Sequence, residues 1–173
     1  PRTTFMRKQT SLGSVAALSA LLLAYVPSAL ALSDVTTPGD AVTASSPNSP
    51  GSEGVANAID NQPTKYLNFD AADGTDVGFV VTPSVGLTYV TGMALTSAND
   101  AVERDPMNVE LYGSTAADQP AWDAEGWILV ATINDIPSWP DTFPGDDRFQ
   151  TQTFMFDNDG AFRHYRWVVT EVQ

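Results

Sequence analysis

Seven stretches of the chain carry apolar residues in short runs or in alternation with polar residues, as strands that bury one face do. Residues 151–156 alternate strictly, and residues 164–172 form the longest run. Gly, Pro, Asn and Asp cluster between the runs, which is typical of turns. The predicted strands are residues 41–44, 78–82, 89–97, 109–112, 127–131, 151–156 and 164–172.

The region after residue 39 shows no sustained helical period, so the pattern predicts an all-β protein. Short strands with turns between them favour a sandwich or a barrel. The chain has 173 residues, which suits one domain. We therefore predict a β-sandwich of about eight antiparallel strands.

The first 31 residues have a different character. Arg7 and Lys8 precede an apolar stretch at residues 12–26, and Ala29-Leu30-Ala31 follows as a small-residue cleavage site. This pattern predicts a secretory signal peptide over residues 1–31, with Met6 as its start and cleavage after Ala31. An uncleaved membrane anchor is the alternative, although Pro27 favours cleavage. Residues 32–38 would then be a short linker and residues 39–173 the folded domain, secreted or periplasmic, without stable membrane insertion after cleavage.

Charge and cysteine usage narrow the classes of partner. The chain has no cysteine, so its stability does not come from disulfides. After residue 31, five basic side chains face 21 acidic ones. Such a surface repels nucleic acid and anionic lipid, which argues against a nucleic-acid partner.

Residues 52–69 contain a turn that concentrates oxygen atoms. Asp60 supplies a carboxylate and Thr64 a hydroxyl, and Pro63 between them favours a tight backbone. Calcium binds six to eight such hard oxygens. The turn is a candidate calcium site, with the alternative that Asp60 only caps nearby backbone amides.

A second polar loop separates two of the predicted strands, a common location for binding residues. Arg104 offers a planar set of donors, and amide or carboxylate groups can bridge sugar hydroxyls. The alternative is that Arg104, between Glu103 and Asp105, only holds the loop through ion pairs. The candidate ligand-binding residues in and beside this loop are Asn99, Asp100, Arg104 and Asn108.

Aromatic residues in the loops are candidate platforms for sugar rings, whose C–H faces stack on aromatic surfaces. Trp122 and Trp139 have polar or proline neighbours, and Trp139 is the preferred platform, with packing inside its loop as the alternative. Trp127 and Trp167 lie in predicted strands and are predicted to be buried.

Catalytic residues are not evident. His164 is the single histidine, and no serine or cysteine motif surrounds it. The carboxylate pairs Asp146-Asp147 and Asp157/Asp159 could serve glycoside hydrolysis, but nothing in the sequence places them across a cleft. We predict that the protein is not an enzyme.

Three longer segments resemble discoidin domains, also called coagulation factor 5/8 type C domains, to which the family 32 carbohydrate-binding modules are similar. They are GVANAIDNQPTKYLNF at residues 54–69 with GFVVTP after it, LTSANDAVERDPMNVELYGS at residues 95–114, and the closing FRHYRWVVTEVQ. The resemblance covers about residues 39–173. It implies a jelly-roll sandwich of the galactose-binding-like type that binds ligands through loops without catalysis.

The resemblance also implies a structural calcium (Ca2+) that would join the first loop to the last strand. The side chains of Asp60, Thr64 and Glu171 match its ligands, with backbone carbonyls near Ala58 and Gln62. The chain departs from the family pattern at two positions: Asn61 stands where glycine is common, and Tyr66 where tryptophan is common.

The resulting hypothesis is a secreted, calcium-stabilised carbohydrate-binding module that recognises a glycan or polysaccharide. An extracellular cell-adhesion domain that binds another protein through the same fold is the alternative. A secreted hydrolase is a third class, which turnover of a polysaccharide would reveal.

Overall fold

Two antiparallel sheets form the protein. The computed structural model describes residues 1–8, 32–73, 76–139 and 148–173. The nine strands of this part of the chain are β1 (Arg2–Lys8), β2 (Leu32–Asp34), β3 (Ala41–Ala44), β4 (Val77–Thr82), β5 (Val90–Thr96), β6 (Pro106–Ser114), β7 (Ile128–Ile133), β8 (Thr151–Met155) and β9 (His164–Val172).

The strand order defines a sandwich. One sheet has the order β2-β1-β5-β8, and the other has β3-β4-β9-β6-β7. In the second sheet, Trp167 of β9 lies between Phe79 of β4 and Leu111 of β6. The all-β jelly-roll predicted from the strand pattern and the resemblance is confirmed.

The core lies between the two sheets and is rich in aromatic residues. The rings of Phe79 and Trp167 lie 5.3 Å apart, and Phe5 contacts Tyr165 at 5.7 Å between ring centroids. Met93 and Leu95 of β5, in the smaller sheet, are also fully buried. Because successive strand residues point to opposite faces, the alternating pattern in the sequence already separates these inward residues from the outward ones.

All seven predicted strands exist, with ends that move by a few residues. The largest extension is β6, which begins at Pro106 rather than at residue 109. The structure describes helix only as short 3₁₀ turns: Val55–Ala58, Phe69–Asp73 and Val102–Arg104. Over the same residues, no helix has the length and apolar character needed to cross a membrane.

The first described residues pair with the smaller sheet, while the predicted start of the domain at residue 39 stays a prediction. Strand β1 pairs with both β2 and β5, so Arg2–Lys8 and Leu32–Asp34 belong to the sheet although residue 39 was predicted to begin the domain. Thr3 and Phe5 are buried on the inner face of β1. In the sequence, the basic residues and the apolar stretch that follow are typical of a leader, so the short alternation of buried and outward residues in β1 was not identified as a strand. Residues 9–31, the rest of the predicted signal peptide, lie outside the described residues, and their removal stays a prediction.

Candidate functional site

The predicted calcium turn brings Asp60 and Thr64 together. The hydroxyl of Thr64 donates to one carboxylate oxygen of Asp60, and the backbone N–H of Gln62 donates to the other at 2.8 Å. Asn61 has a φ of 59°, a left-handed conformation that glycine adopts freely and asparagine tolerates. The departure from glycine at this position therefore keeps the turn.

The side chain of Glu171 hydrogen-bonds to Asn108 and not to the Asp60 turn. Its carboxylate accepts a hydrogen bond from the side chain of Asn108 at 2.6 Å, at the exposed C-terminal end of β9. Within the described residues, no cluster of three or more His, Cys, Asp or Glu side chains is suited to a metal ion. The residues thus fit a calcium site in part: Asp60 and Thr64 converge, and Glu171 does not join them.

A buried ion pair anchors the loop over residues 97–105. The guanidinium of Arg148 contacts both carboxylate oxygens of Asp105 at 2.9 and 2.8 Å, and Arg148 also donates to the backbone carbonyl of Ala98 at 2.9 Å. Burial raises the pKa of Asp105, while the hydrogen bonds from Arg148 oppose that shift. The ion-pair role considered for Arg104 therefore belongs to Arg148, which the sequence did not indicate.

A second ion pair connects this loop to residues 52–69. The ammonium of Lys65 lies 2.7 and 2.9 Å from the two carboxylate oxygens of Asp100 and 3.4 Å from Glu53. The hydrogen bond from Lys65 lowers the pKa of Asp100. Two segments predicted to have separate roles thus form the two sides of one cleft.

The floor of this cleft is apolar. A cavity of about 130 Å³ opens between the segments, and a smaller one of about 30 Å³ adjoins it at Lys65 and Asp100. Four residues line both cavities: Pro1, Tyr66, Leu67 and Arg104. Further residues of the larger cavity are Asn68, Phe69, Ala71, Val77, Gly78, Pro106, Trp167, Val169 and Val172.

Phe69 and Arg104 provide the accessible chemistry of the cleft. Phe69 is 49% exposed although it is a large apolar side chain. The side chain of Arg104 is also 49% exposed, and its nearest acidic group, on Glu103, is 3.8 Å away in an exposed pair that binds weakly. A half-exposed guanidinium in a weak ion pair and a half-exposed ring on one apolar cleft are groups that can hold polar, ring-shaped ligands. Sequence reasoning missed Phe69 because nothing local distinguishes an exposed phenylalanine from a core one.

Comparison with solved structures identifies the architecture. A family 32 carbohydrate-binding module from Streptococcus pneumoniae EndoD matches with a TM-score of 0.53 and 14% identity, over 79% of this chain and 85% of that one. A family 32 module from Clostridium perfringens, solved with GalNAc-β-1,3-galactose, matches with a TM-score of 0.51 and 17% identity, over 77% and 84%. The chain has the fold of a family 32 carbohydrate-binding module. No protein-family model and no curated protein matches the sequence.

The predicted platform of this family 32 fold, Trp139, is not available to a ligand. Trp139 is 1% exposed and belongs to the core. Hydrogen bonds draw its segment inward: Ile136 donates its N–H to the carbonyl of Met107 at 2.9 Å, and Gln152 donates to the carbonyl of Pro137 at 2.8 Å. The prediction that Trp139 is exposed was wrong because these contacts join residues far apart in sequence.

Trp127 is half-buried on the surface of the larger sheet, where it was predicted to be core. It surrounds the guanidinium of Arg166 together with Tyr112 and Trp122, at 5.2, 4.4 and 5.6 Å from the ring centroids. Arg166 also donates to the backbone carbonyl of Trp122 at 2.8 Å. This cation–π cluster attaches the connection between β6 and β7 to the sheet. Trp167 is buried as predicted.

The two predicted asparagines lie away from the cavities. Asn99 is exposed on its loop. Asn108 donates to Glu171 and accepts the backbone N–H of Asp135 at 2.9 Å, so its side chain joins β6 to two neighbours. This engagement gives Asn108 a structural role, which differs from the predicted ligand contact.

The residues considered for catalysis are also accounted for, as far as the structure describes them. His164 is buried and bonds Thr82 at 2.7 Å and the carbonyl of Ala116 at 3.1 Å. Asp157 and Asp159 are exposed on one turn. Asp146 and Asp147 lie outside the described residues.

Proposed function

We propose that this protein binds carbohydrate in the cleft between residues 65–69 and residues 97–105, without turnover. The observation that carries the proposal is that Phe69 and Arg104, each about half exposed, line the same apolar cavity. The family 32 fold supports it, since the relatives in the comparison were solved as carbohydrate-binding modules. An extracellular location fits the leader-like N-terminal sequence and the acidic composition.

Each group of the cleft has a definite task in this proposal. The C–H face of a sugar ring stacks on the Phe69 ring, which contributes apolar contact area with a preferred geometry. Arg104 donates to two neighbouring hydroxyls through its planar guanidinium. The ion pair between Lys65 and Asp100 keeps the two sides of the cleft together and adds polar atoms at its edge.

Binding is expected to decrease about tenfold, or about 1.4 kcal/mol, for Phe69→Ala and again for Arg104→Ala. Calorimetry with galactose and N-acetylgalactosamine, preceded by a glycan array, measures the effect. Leu129→Ala removes a side chain of similar exposure, and Arg163→Ala removes an exposed guanidinium; neither should change affinity. The proposal fails if no glycan binds at millimolar concentration or if the controls weaken binding equally. Capture of an extracellular protein at this cleft would support adhesion instead.

A structural calcium at the Asp60 turn is a second part of the proposal. The carboxylate of Asp60 and the hydroxyl of Thr64 already converge there, and backbone carbonyls near Ala58 and Gln62 would complete the set. When bound, the ion would neutralise Asp60 and hold the turn in one conformation. Glu171 would have to leave Asn108 in order to take part.

Calcium at a hundred times its dissociation constant is expected to raise the melting temperature by about 5–10 °C, because binding to the folded state alone adds about 2.7 kcal/mol. Asp60→Asn should remove this shift, and Glu171→Gln should preserve it. Thermal unfolding with calcium and with EDTA distinguishes the outcomes. Equal melting temperatures with calcium and with EDTA would show that the Asp60 turn does not bind a stabilising calcium ion.

A further inference from the structure

Strand β1 lies between β2 and β5 in the smaller sheet, a place that we call the β1 slot. On one side, residues 2–7 pair with residues 90–96 of β5, and on the other side residues 6–8 pair with β2. Among the described strands, β2 pairs with β1 alone, while β5 has β8 as its second neighbour. The β1 slot therefore offers the backbone groups of two strands to a third, extended segment.

The inward side of the β1 slot takes one large apolar side chain. Phe5 is fully buried there and pairs with Met93, which is also fully buried. The ring of Phe5 contacts Tyr165 and Phe79 of the larger sheet at 5.7 and 6.4 Å between centroids. An empty β1 slot would open this part of the core to water, so the smaller sheet requires an occupant there.

The segment in the β1 slot has the opposite charge to the rest of the protein. It contains Arg2, Arg7 and Lys8, which are three of the eight basic residues, and no acidic residue. After residue 31, five basic side chains face 21 acidic ones. The guanidinium of Arg7 donates to the hydroxyl of Ser33 in β2 at 3.4 Å. Opposite net charges favour association even when the segment belongs to a separate chain.

The fit of β1 to its slot is incomplete at Thr3. This side chain is 1% exposed, and its hydroxyl has no hydrogen-bond partner within the described part of the chain. A buried hydroxyl without a partner disfavours the folded state, whereas an aliphatic side chain of the same shape does not. The β1 slot is therefore better matched by a segment with valine or isoleucine at the place of Thr3.

The leader pattern predicts that the exported chain lacks β1. Cleavage after Ala31 would remove residues 1–31 and leave β2, β5 and β8. The facing edges of β2 and β5 would then carry backbone N–H and C=O groups without partners. Such edges are templates for pairing with an extended segment of another chain. A chain processed in this way presents an empty β1 slot.

We propose that the β1 slot is a strand-acceptor site, at which an extended basic segment of another protein takes the place of β1. This segment runs antiparallel to β5, as β1 does, with an aromatic side chain at the place of Phe5 and an aliphatic one at the place of Thr3. Main-chain hydrogen bonds provide the affinity, and the alternate inward side chains provide the selectivity. The inference goes beyond carbohydrate binding and does not rest on it.

Strand exchange in the full-length chain tests the proposal. A recognition sequence for a specific protease is inserted between Ala20 and Leu21, so that cutting leaves β1 held by noncovalent contacts alone. A fluorescent peptide with the sequence of residues 1–8 should then bind the cut chain with saturation, as fluorescence anisotropy measures. The uncut chain is the control. It should bind the peptide about a hundredfold more weakly, because its own β1 stays attached at high effective concentration.

Peptide variants separate the fit of the segment from charge attraction. Phe5→Ala should weaken binding at least about a hundredfold, because it leaves the apolar site unfilled. Thr3→Val should strengthen binding about tenfold, because it removes the unpartnered hydroxyl. Thr4→Ala is the matched control at a partly buried side chain and should change affinity less than about threefold. A peptide of the same composition in scrambled order has the same charge and should bind weakly.

Three results would overturn the proposal. The scrambled peptide could bind as well as the native one, which would leave charge attraction as the only cause. The Phe5→Ala peptide could bind as tightly as the Thr4→Ala peptide. The cut chain could also bind no peptide, either because β1 does not leave or because β2 moves to pair with β5. Sugar affinity is measured separately on the uncut chain, so the failure of either proposal leaves the other unchanged.

Discussion

Phe5→Ala is expected to lower the free energy of unfolding of the full chain by about 3–5 kcal/mol, the cost of removing a fully buried phenylalanine ring. Phe5 is 0% exposed, and its ring contacts Tyr165 and Phe79 of the opposite sheet at 5.7 and 6.4 Å between centroids. The melting temperature should decrease by about 10 °C, given the stability of domains of this size. Thermal and urea unfolding measure the effect.

Thr4→Ala is the control for this result, because Thr4 lies in the same strand and is only partly buried. A change of less than about 1 kcal/mol is expected there. If Phe5→Ala is as mild as Thr4→Ala, then β1 is not part of the stable core. The domain would in that case begin near residue 39, as the leader pattern predicts.

Arg148→Met is expected to cost about 3–5 kcal/mol as well, because it leaves the carboxylate of Asp105 buried without its cation. Both side chains of the pair are nearly inaccessible, and the two contacts between them are 2.9 and 2.8 Å. The loss of the donor to the carbonyl of Ala98 adds to the effect. Denaturant unfolding measures the change.

A second substitution separates charge burial from lost packing. In the Arg148→Met background, Asp105→Asn replaces the unpaired carboxylate by a neutral amide and should recover part of the stability. Arg104→Met, at an exposed pair, should cost under about 1 kcal/mol. If the Asp105→Asn change brings no recovery, the ion pair is not the reason that Arg148 matters.

The strands were predictable because their signal is local. Residues 151–156 alternate apolar and polar side chains, and an alternating segment buries one face whichever strands flank it. β1 was missed because its basic residues and the apolar stretch after it match a leader more strongly than seven residues match a strand. Its place became evident only from its pairing with Val90–Thr96.

The candidate site was predictable only in part. Asp100 and Arg104 stand in a polar loop between two strands, and that position indicated a binding surface. The role of Arg148 was hidden because its partner Asp105 is 43 residues away. The exposure of Phe69 and the burial of Trp139 were also beyond the sequence, since both depend on which distant segments cover the ring.

From the amino-acid order alone follow the all-β class, the strand positions, the acidic surface and the turn at Asp60, because each arises from neighbouring residues or from a sum over the chain. The tertiary structure decided which loops face each other across the cleft and which aromatic rings are exposed to solvent. It also decided that Arg2–Lys8 pairs between β2 and β5 in the smaller sheet. Those properties depend on contacts between residues that are distant in sequence. The exposure of a side chain and the identity of its contact partners depend on two or more segments together, so the sequence of one segment does not determine them.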